Sequence, residues 1–201
     1  MPTSCVTPRE RTSLSRRIAC LALLLLVGST TCGDSTGPSD QDGPANLWKP
    51  DPSSLPATGN YVVLVSDQGD WIGGGLSKVF RPPTDTIVVG SYPNGQLYFM
   101  AASKLNGAPS PVDGFTGDFV PPSGMNPIAV GYYGGLDQSG DPAKARFVVL
   151  GPGRGCNGSN GWFAVDKISY SGTTLMSLDL RLEQHCDGSV PALRVAIHWS
   201  R

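Results

Sequence analysis

The densest group of chemically active side chains in this 201-residue sequence surrounds a cysteine near the C-terminus. The stretch consists of Glu183, Gln184, His185, Cys186 and Asp187. A histidine oriented by a neighbouring carboxylate can act as a general base, so His185 is the candidate catalytic residue of a small hydrolase. The alternative is structural: Glu183, His185 and Arg154 would form a polar cluster that supports Cys186.

The rest of the sequence supplies few further catalytic candidates. The chain has one other histidine, His198, and it contains neither a Gly-x-Ser-x-Gly nor a His-Glu-x-x-His motif. The glycine-rich stretch 151–158 lacks the Lys-Ser/Thr ending that a phosphate-binding loop needs. We therefore predict no catalytic residue, no metal site and no cofactor, with the His185 hydrolase as the alternative.

Three aromatic residues are candidate ligand contacts. Trp71, Tyr132 and Tyr133 lie close to glycines in short apolar stretches. Sugar-binding β-sandwiches commonly present such rings on a sheet face or a loop, which suggests a carbohydrate or another cell-surface ligand. Aromatic residues in strands are more often core or cross-strand partners, and that interpretation stays open.

Two pairs of aspartates lie in glycine-containing loops. One pair is Asp67 and Asp70, and the other is Asp137 and Asp141. Calcium takes six to eight oxygen ligands, so two carboxylates per loop are too few unless distant loops converge. Aspartate also favours turns, which is the simpler interpretation.

The N-terminal segment predicts export from a bacterial cell. Arg16 and Arg17 precede an apolar run of ten residues, 18–27, and then small residues up to Thr31. This is the pattern of a signal peptide over 1–31, whereas a membrane-spanning helix needs about 20 apolar residues.

Cys32 follows the predicted signal peptide directly, which predicts a lipid anchor in the cell envelope. A bacterial lipobox prefers Leu, a small residue and Gly or Ala before the cysteine, and residues 29–31 are Ser-Thr-Thr. Ordinary cleavage nearby, giving a secreted protein, is therefore the alternative.

Export also explains the use of cysteine. The chain has five cysteines, at positions 5, 20, 32, 156 and 186, and cleavage would remove the first two. Cys156 and Cys186 are then an even pair in an oxidising compartment, which predicts a disulfide. The disulfide would close a loop of about 30 residues, so it would contribute roughly 3–4 kcal/mol to the free energy of unfolding. A metal site formed with His185 is the alternative, but it provides only three ligands.

Composition divides the mature chain into a tether and one domain. Residues 32–56 are rich in Gly, Pro, Ser and Asp, which predicts a flexible tether, and 57–201 are long enough for one domain. Cleavage would remove four arginines and Glu10 from the 15 basic and 16 acidic residues, leaving a net charge of −4. No basic cluster survives, so we expect no nucleic-acid partner.

Short apolar or alternating runs between turn residues indicate an all-β domain. Asn94 and Gly95 predict a hairpin turn. In two C-terminal runs, 176–182 and 193–199, large apolar residues alternate with polar residues or, at 196, with alanine, which is typical of strands with one buried face. We predict a two-sheet antiparallel β-sandwich, with a closed barrel as the alternative. Strands are predicted at 61–66, 71–80 (two short ones around Gly73–Gly75), 86–89, 96–101, 115–120, 128–133, 146–150, 161–170 and the two C-terminal runs.

The sequence around the two C-terminal cysteines contains a pair of motifs, Gly-Arg-Gly-Cys-Asn at 153–157 and Glu-Gln-His-Cys-Asp-Gly at 183–188. Ser-Asp-x-Gly-Asp-x-Ile-Gly-x-Gly at 66–75, Gly-x-Phe-x-Val at 161–165 and Pro-Ala-Leu at 191–193 accompany them. Together these motifs resemble an uncharacterised family of secreted bacterial β-domains that often occur beside immunoglobulin-like modules. The resemblance covers about 61–198 and implies an extracytoplasmic β domain with a cysteine pair, but no activity.

Two functions from different classes follow. The first is a non-catalytic binding, adhesion or structural domain anchored to the membrane through a lipid on Cys32. The second is the small secreted hydrolase that uses His185. Exposed aromatic residues would favour the first, and an open cleft around His185 would favour the second.

Overall fold

The computed structural model describes residues 43–110, 112–136 and 140–201. The predicted signal peptide, Cys32 and Asp137 lie outside these ranges. Within them, the secondary structure is β apart from one short 3-10 turn, Pro52–Ser54. None of the described helical segments is long and apolar enough to cross a membrane.

Eleven strands are described. In chain order they are β1 (Tyr61–Ser66), β2 (Ser77–Phe80), β3 (Asp85–Ser91), β4 (Leu97–Leu105), β5 (Ala108–Pro109), β6 (Phe115–Val120), β7 (Gly131–Tyr133), β8 (Arg146–Leu150), β9 (Ser159–Ser171), β10 (Thr174–Cys186) and β11 (Ala192–Ser200). One sheet has six strands in the order β2-β1-β11-β10-β9-β7, and the other has the order β3-β4-β6-β8, with β5 added to β4. Every pairing is antiparallel. Neither sheet closes on itself, so the predicted β-sandwich is confirmed over the closed barrel.

The core lies between the two sheets and contains a group of phenylalanines. The Phe119 and Phe163 rings, from opposite sheets, are 5.3 Å apart, and Phe147 meets Phe163 at 6.0 Å. Phe119 and Phe163 are completely buried. Aromatic rings from both inner faces therefore interdigitate and fix how the sheets pack.

Most of the predicted strands are confirmed, with differences where glycines and turns interrupt the pattern. The stretch 71–75 is a turn, and only Ser77–Phe80 forms a strand there. The strand expected over 128–133 is limited to Gly131–Tyr133. The hairpin turn at Asn94 and Gly95 is present: Gly95 N donates to Tyr92 O at 3.0 Å.

The two C-terminal strands bury the predicted face, with two exceptions. Trp199 is half-buried against the core, and Met176 is 36% exposed. The six that are buried are Leu178, Leu180, Leu182, Leu193, Val195 and Ile197.

Met176 escapes the predicted face because β10 contains a bulge there. Leu175 pairs with Tyr170 and Ser177 pairs with Ser169, so Met176 is an extra residue on its strand. A bulge of one residue reverses the side-chain alternation. Leu175 is consequently buried in place of Met176.

Gln184 connects the two sheets at one edge. Its side chain is fully buried; its Oε1 accepts from Val149 N at 2.7 Å, and its Nε2 donates to Val149 O at 3.1 Å. Val149 lies on β8, the edge strand of the smaller sheet. The amide therefore pairs the outward backbone groups of that edge strand as a neighbouring strand would.

The described part of the predicted tether contacts the outer face of the six-stranded sheet. Arg181 Nη1 donates to Trp48 O at 2.6 Å, and the same guanidinium pairs with Asp166 through Nε at 2.6 Å. A Cβ on Gly43 would overlap the Tyr132 ring, so the backbone approaches that ring closely. The boundary of the folded domain at residue 57 stays a prediction.

Candidate functional sites

A network of charged side chains covers the outer face of β10 and β11, and we name it the charged network. It consists of Asp67, Glu183, His185 and Arg194. Arg194 Nε donates to Glu183 Oε2 and its Nη1 donates to Asp67 Oδ1, both at 2.7 Å. The strand register places Glu183 opposite Arg194, so antiparallel pairing brings these opposite charges together.

Arg194 stabilises the charged form of Asp67. Its hydrogen bond lowers the pKa of the Asp67 carboxyl below the ordinary value. The same bond, followed by that to Glu183, raises the pKa of the guanidinium. Asp67 also accepts from Ala192 N at 3.0 Å, which ties the loop after β1 to the start of β11.

His185 uses both ring nitrogens inside the protein. Nδ1 lies 3.1 Å from Ser189 O, and Nε2 lies 3.3 Å from Glu183 Oε1. A general base needs a nitrogen directed at a substrate or at a nucleophile. The two partners here are a carbonyl and a carboxylate, and neither can be activated as a nucleophile. The contacts of His185 join the end of β10 to the loop that follows it.

The predicted disulfide is confirmed, and Arg154 lies elsewhere than expected. Cys156 and Cys186 are bonded, with Cα atoms 5.1 Å apart. Gln184 Nε2 approaches Cys156 Sγ at 3.5 Å. The expected cluster of Arg154 with Glu183 is not formed: Arg194 pairs with Glu183, and Arg154 Nη1 donates to Trp71 O at 3.1 Å.

Trp71 lies on an ordered loop and leaves its ring exposed. The loop is held by the buried Asp70, whose Oδ2 accepts from Gly73 N at 2.6 Å and from Ser66 Oγ at 2.8 Å. Trp71 Nε1 donates to Gly155 O at 3.1 Å, yet the residue is 57% exposed. The indole is therefore fixed in orientation while its face meets solvent.

Three neighbours extend this exposed area, and we name the resulting group of four residues the Trp71 surface: Trp71, Leu150, Arg154 and Gly155. Leu150 lies against Gly155 and is 41% exposed. Arg154 carries five N–H donors, and among the described residues the hydrogen bond to Trp71 O engages one nitrogen. A fixed aromatic ring beside an arginine combines an apolar platform with hydrogen-bond donors.

Tyr132 and Tyr133 point to opposite sides of β7 and do not join Trp71 in one platform. Tyr133 stacks on Phe163 at 4.5 Å and donates to Ala129 O at 2.8 Å, so it is largely a core residue. Tyr132 faces the outer side, 6.3 Å from the Trp162 ring. Burial raises the pKa of both phenols.

A mainly apolar cleft of about 660 Å³ opens beside these tyrosines, and we name it the tyrosine cleft. The loops on either side of β7 form its walls. Among the described lining residues, Lys144 is the charged one. Its other lining residues include Pro122, Met125, Ala129, Val130, Tyr132 and Tyr133.

One candidate pair was missed by sequence reasoning. His198 Nδ1 lies 2.6 Å from Asp179 Oδ1, and the imidazole stacks on the Tyr61 ring at 5.1 Å. Asp179 and His198 are direct cross-strand partners. The alternating residue pattern of β10 and β11 places both residues on the outer face. It could have predicted this pair once the pairing register was known. In the described ranges, no three His, Cys, Asp or Glu side chains converge as metal ligands.

The fold and these surfaces define an all-β antiparallel sandwich with a structural disulfide. Comparisons with known protein families, with curated proteins and with solved structures found no match.

Proposed function

We propose that this protein is a non-catalytic binding domain of the bacterial cell envelope, anchored through a lipid on Cys32, and that the Trp71 surface contacts its ligand. The ligand class that fits best is carbohydrate, because an exposed indole offers a flat apolar face and Arg154 offers hydrogen-bond donors beside it.

The observation that carries this proposal is the orientation of Trp71. A tryptophan that is 57% exposed leaves a large apolar area in water. Its indole N–H is already bonded to Gly155 O, so the ring loses little freedom when a ligand stacks on it.

The state of His185 supports a non-catalytic role. Its two ring nitrogens are engaged by Ser189 O and Glu183 Oε1. His185 lies on a sheet face beside the ion pair that Glu183 forms with Arg194. These contacts account for the motif around Cys186 without a reaction.

The anchor is tested by the intact mass of the protein purified from bacterial membranes. We expect a chain that begins at Cys32 and carries acyl groups. A mature terminus at another residue, without lipid, would contradict the anchor and favour the secreted alternative.

The binding surface is tested by sedimentation with insoluble polysaccharides, namely peptidoglycan, chitin and cellulose. Removing a central aromatic contact costs about 2 kcal/mol or more, so Trp71→Ala should lower retention at least about 30-fold on the polysaccharide that the protein binds. Tyr92→Ala is the matched control, because Tyr92 is 46% exposed in the hairpin between β3 and β4. Equal retention of both variants, or no retention of the unaltered protein on any of the three, would contradict the proposed surface.

A further inference from the structure

The described chain begins at a particular place on the domain. Gly43 lies against the Tyr132 ring, and Trp48 is held through its carbonyl by Arg181. The chain that leads back to Cys32 therefore departs beside Tyr132, at the edge of the six-stranded sheet that β7 forms.

The chain between that point and Cys32 is short. Ten residues, 33–42, separate Cys32 from Gly43. A fully extended chain of this length spans at most about 35–40 Å, and a flexible one averages about 17–20 Å. A domain of about 150 residues is roughly 40 Å across. Gly43 is thus the point of the domain from which a lipid on Cys32 would hold it.

The surface at this edge has the chemistry of a membrane-contacting face. Val130 is 47% exposed at the mouth of the tyrosine cleft, and Tyr132 lies next to it. Lys144 and Lys49 are exposed on either side, Lys49 in a smaller cleft that Tyr132 also lines. Tyrosine is enriched at membrane interfaces, and lysines are attracted to anionic headgroups.

We propose that this edge, formed by Lys49, Val130, Tyr132 and Lys144, rests on the phospholipid surface of the membrane that carries the anchor. The proposal rests on the lipid at Cys32 and adds an orientation to it. The Trp71 surface, at the end of the sheet where β11 begins, then lies away from that edge.

Strand geometry supports that separation. Gly131 pairs with Val165 of β9, and Cys186 pairs with Ser159 of the same strand. Six residues of a strand span about 20 Å. The loop after Cys186, which includes Val190, therefore lies about 20 Å along the strand direction from Val130.

The test compares two single-cysteine variants of the full-length protein, Val130→Cys and Val190→Cys. Both positions are exposed valines in loops, 47% and 87% respectively, so neither change disturbs the core. In the acylated protein the other thiols are blocked or bonded, and the new cysteine is the one that reacts with an environment-sensitive fluorophore. The labelled proteins are reconstituted into phosphatidylethanolamine–phosphatidylglycerol vesicles that contain a headgroup nitroxide.

At Val130→Cys we expect the lipid-borne nitroxide to quench the label at least about threefold more than at Val190→Cys. Iodide dissolved in the water should quench the label less at Val130→Cys than at Val190→Cys. Equal quenching at both positions, or stronger quenching at Val190→Cys, would overturn the proposal. The mass of the same samples distinguishes failure of the orientation from failure of the lipid anchor. Protein that carries the lipid but shows no difference in quenching refutes the orientation alone, and protein without lipid on Cys32 refutes both proposals.

Discussion

At the scale of single residues, the molecule depends on polar side chains that complete backbone hydrogen bonding. Gln184 was grouped with the polar residues around Cys186, but its alternation places it on the buried face of β10. A buried amide is favourable only when its donors and acceptors are paired, and Val149 supplies both partners.

We predict that Gln184→Ala destabilises the domain by roughly 2–5 kcal/mol, because it leaves a buried N–H and C=O of Val149 unpaired. Urea unfolding of the disulfide-bonded domain measures this loss. Gln68→Ala is the control. Because Gln68 is exposed in the loop after β1, its substitution should change the free energy of unfolding by no more than about 0.5 kcal/mol. A similar small effect at Gln184 would contradict the role of the amide.

Tyr170 gives a prediction at alkaline pH. Its hydroxyl is buried with no hydrogen-bond partner among the described residues, and burial, together with the nearby Tyr133, raises its pKa to about 12. The folded state keeps this proton while the unfolded state loses it near pH 10. Stability should therefore fall as the pH rises from 10 towards 12.

The measurement is an ultraviolet titration of tyrosinate in the folded protein beside Tyr170→Phe. We expect the variant to lack the last phenol to ionise before unfolding and to lose less stability above pH 10. An unchanged titration curve at high pH would show that Tyr170 is not the most protected phenol.

At the scale of elements, the alternation of apolar and polar residues predicted well which face of a strand is buried, but it did not predict the bulge in β10. Leu178, Leu180 and Leu182 lie on the inner face because successive residues of a strand point to opposite sides. Met176 follows the same pattern in the sequence, but an extra residue in the ladder turns it outward. The residue types around Met176 do not predict a bulge, because its position depends on how β10 pairs with β9.

A matched pair of substitutions tests these face assignments. Leu180→Asp should destabilise the domain by more than about 4 kcal/mol, because it buries an unpaired carboxylate. Met176→Asp, four residues earlier, should cost less than about 1 kcal/mol, because Met176 is 36% exposed at the bulge. Thermal unfolding compares the two, and equal losses would contradict the observed register.

The candidate sites show the same limit. The disulfide was predictable, since Cys156 and Cys186 would be the remaining pair in a chain exported with a lipid on Cys32. The partner of Glu183 was not, because the choice between Arg154 and Arg194 depends on the pairing of β10 with β11. Trp71 and Tyr132 were both predictable as candidates, but only the packing shows that they belong to different surfaces.

At the scale of the whole molecule, the two proposed contact surfaces lie in different places on the domain. Residues 43–50 contact the outer face of the six-stranded sheet, so the chain towards Cys32 leaves beside Tyr132. The Trp71 surface lies at the end where β1 finishes and β11 begins, because Asp67 N donates to Ala192 O at 2.9 Å. A lipid anchor at one edge and a ligand-binding surface at the other end would hold the ligand clear of the membrane.

If the domain binds without reacting, the polysaccharide that it retains must stay intact. The purified protein is incubated with the polysaccharide that it retains, beside Trp71→Ala, His185→Ala and His198→Ala. Both the bound protein and the length of the polysaccharide are then determined. We predict that the polysaccharide stays uncleaved in every sample, that His185→Ala and His198→Ala bind like the unaltered protein when folded, and that Trp71→Ala does not bind. Cleavage by the unaltered protein that is lost in a folded His185→Ala or His198→Ala variant would contradict this account and identify a hydrolase.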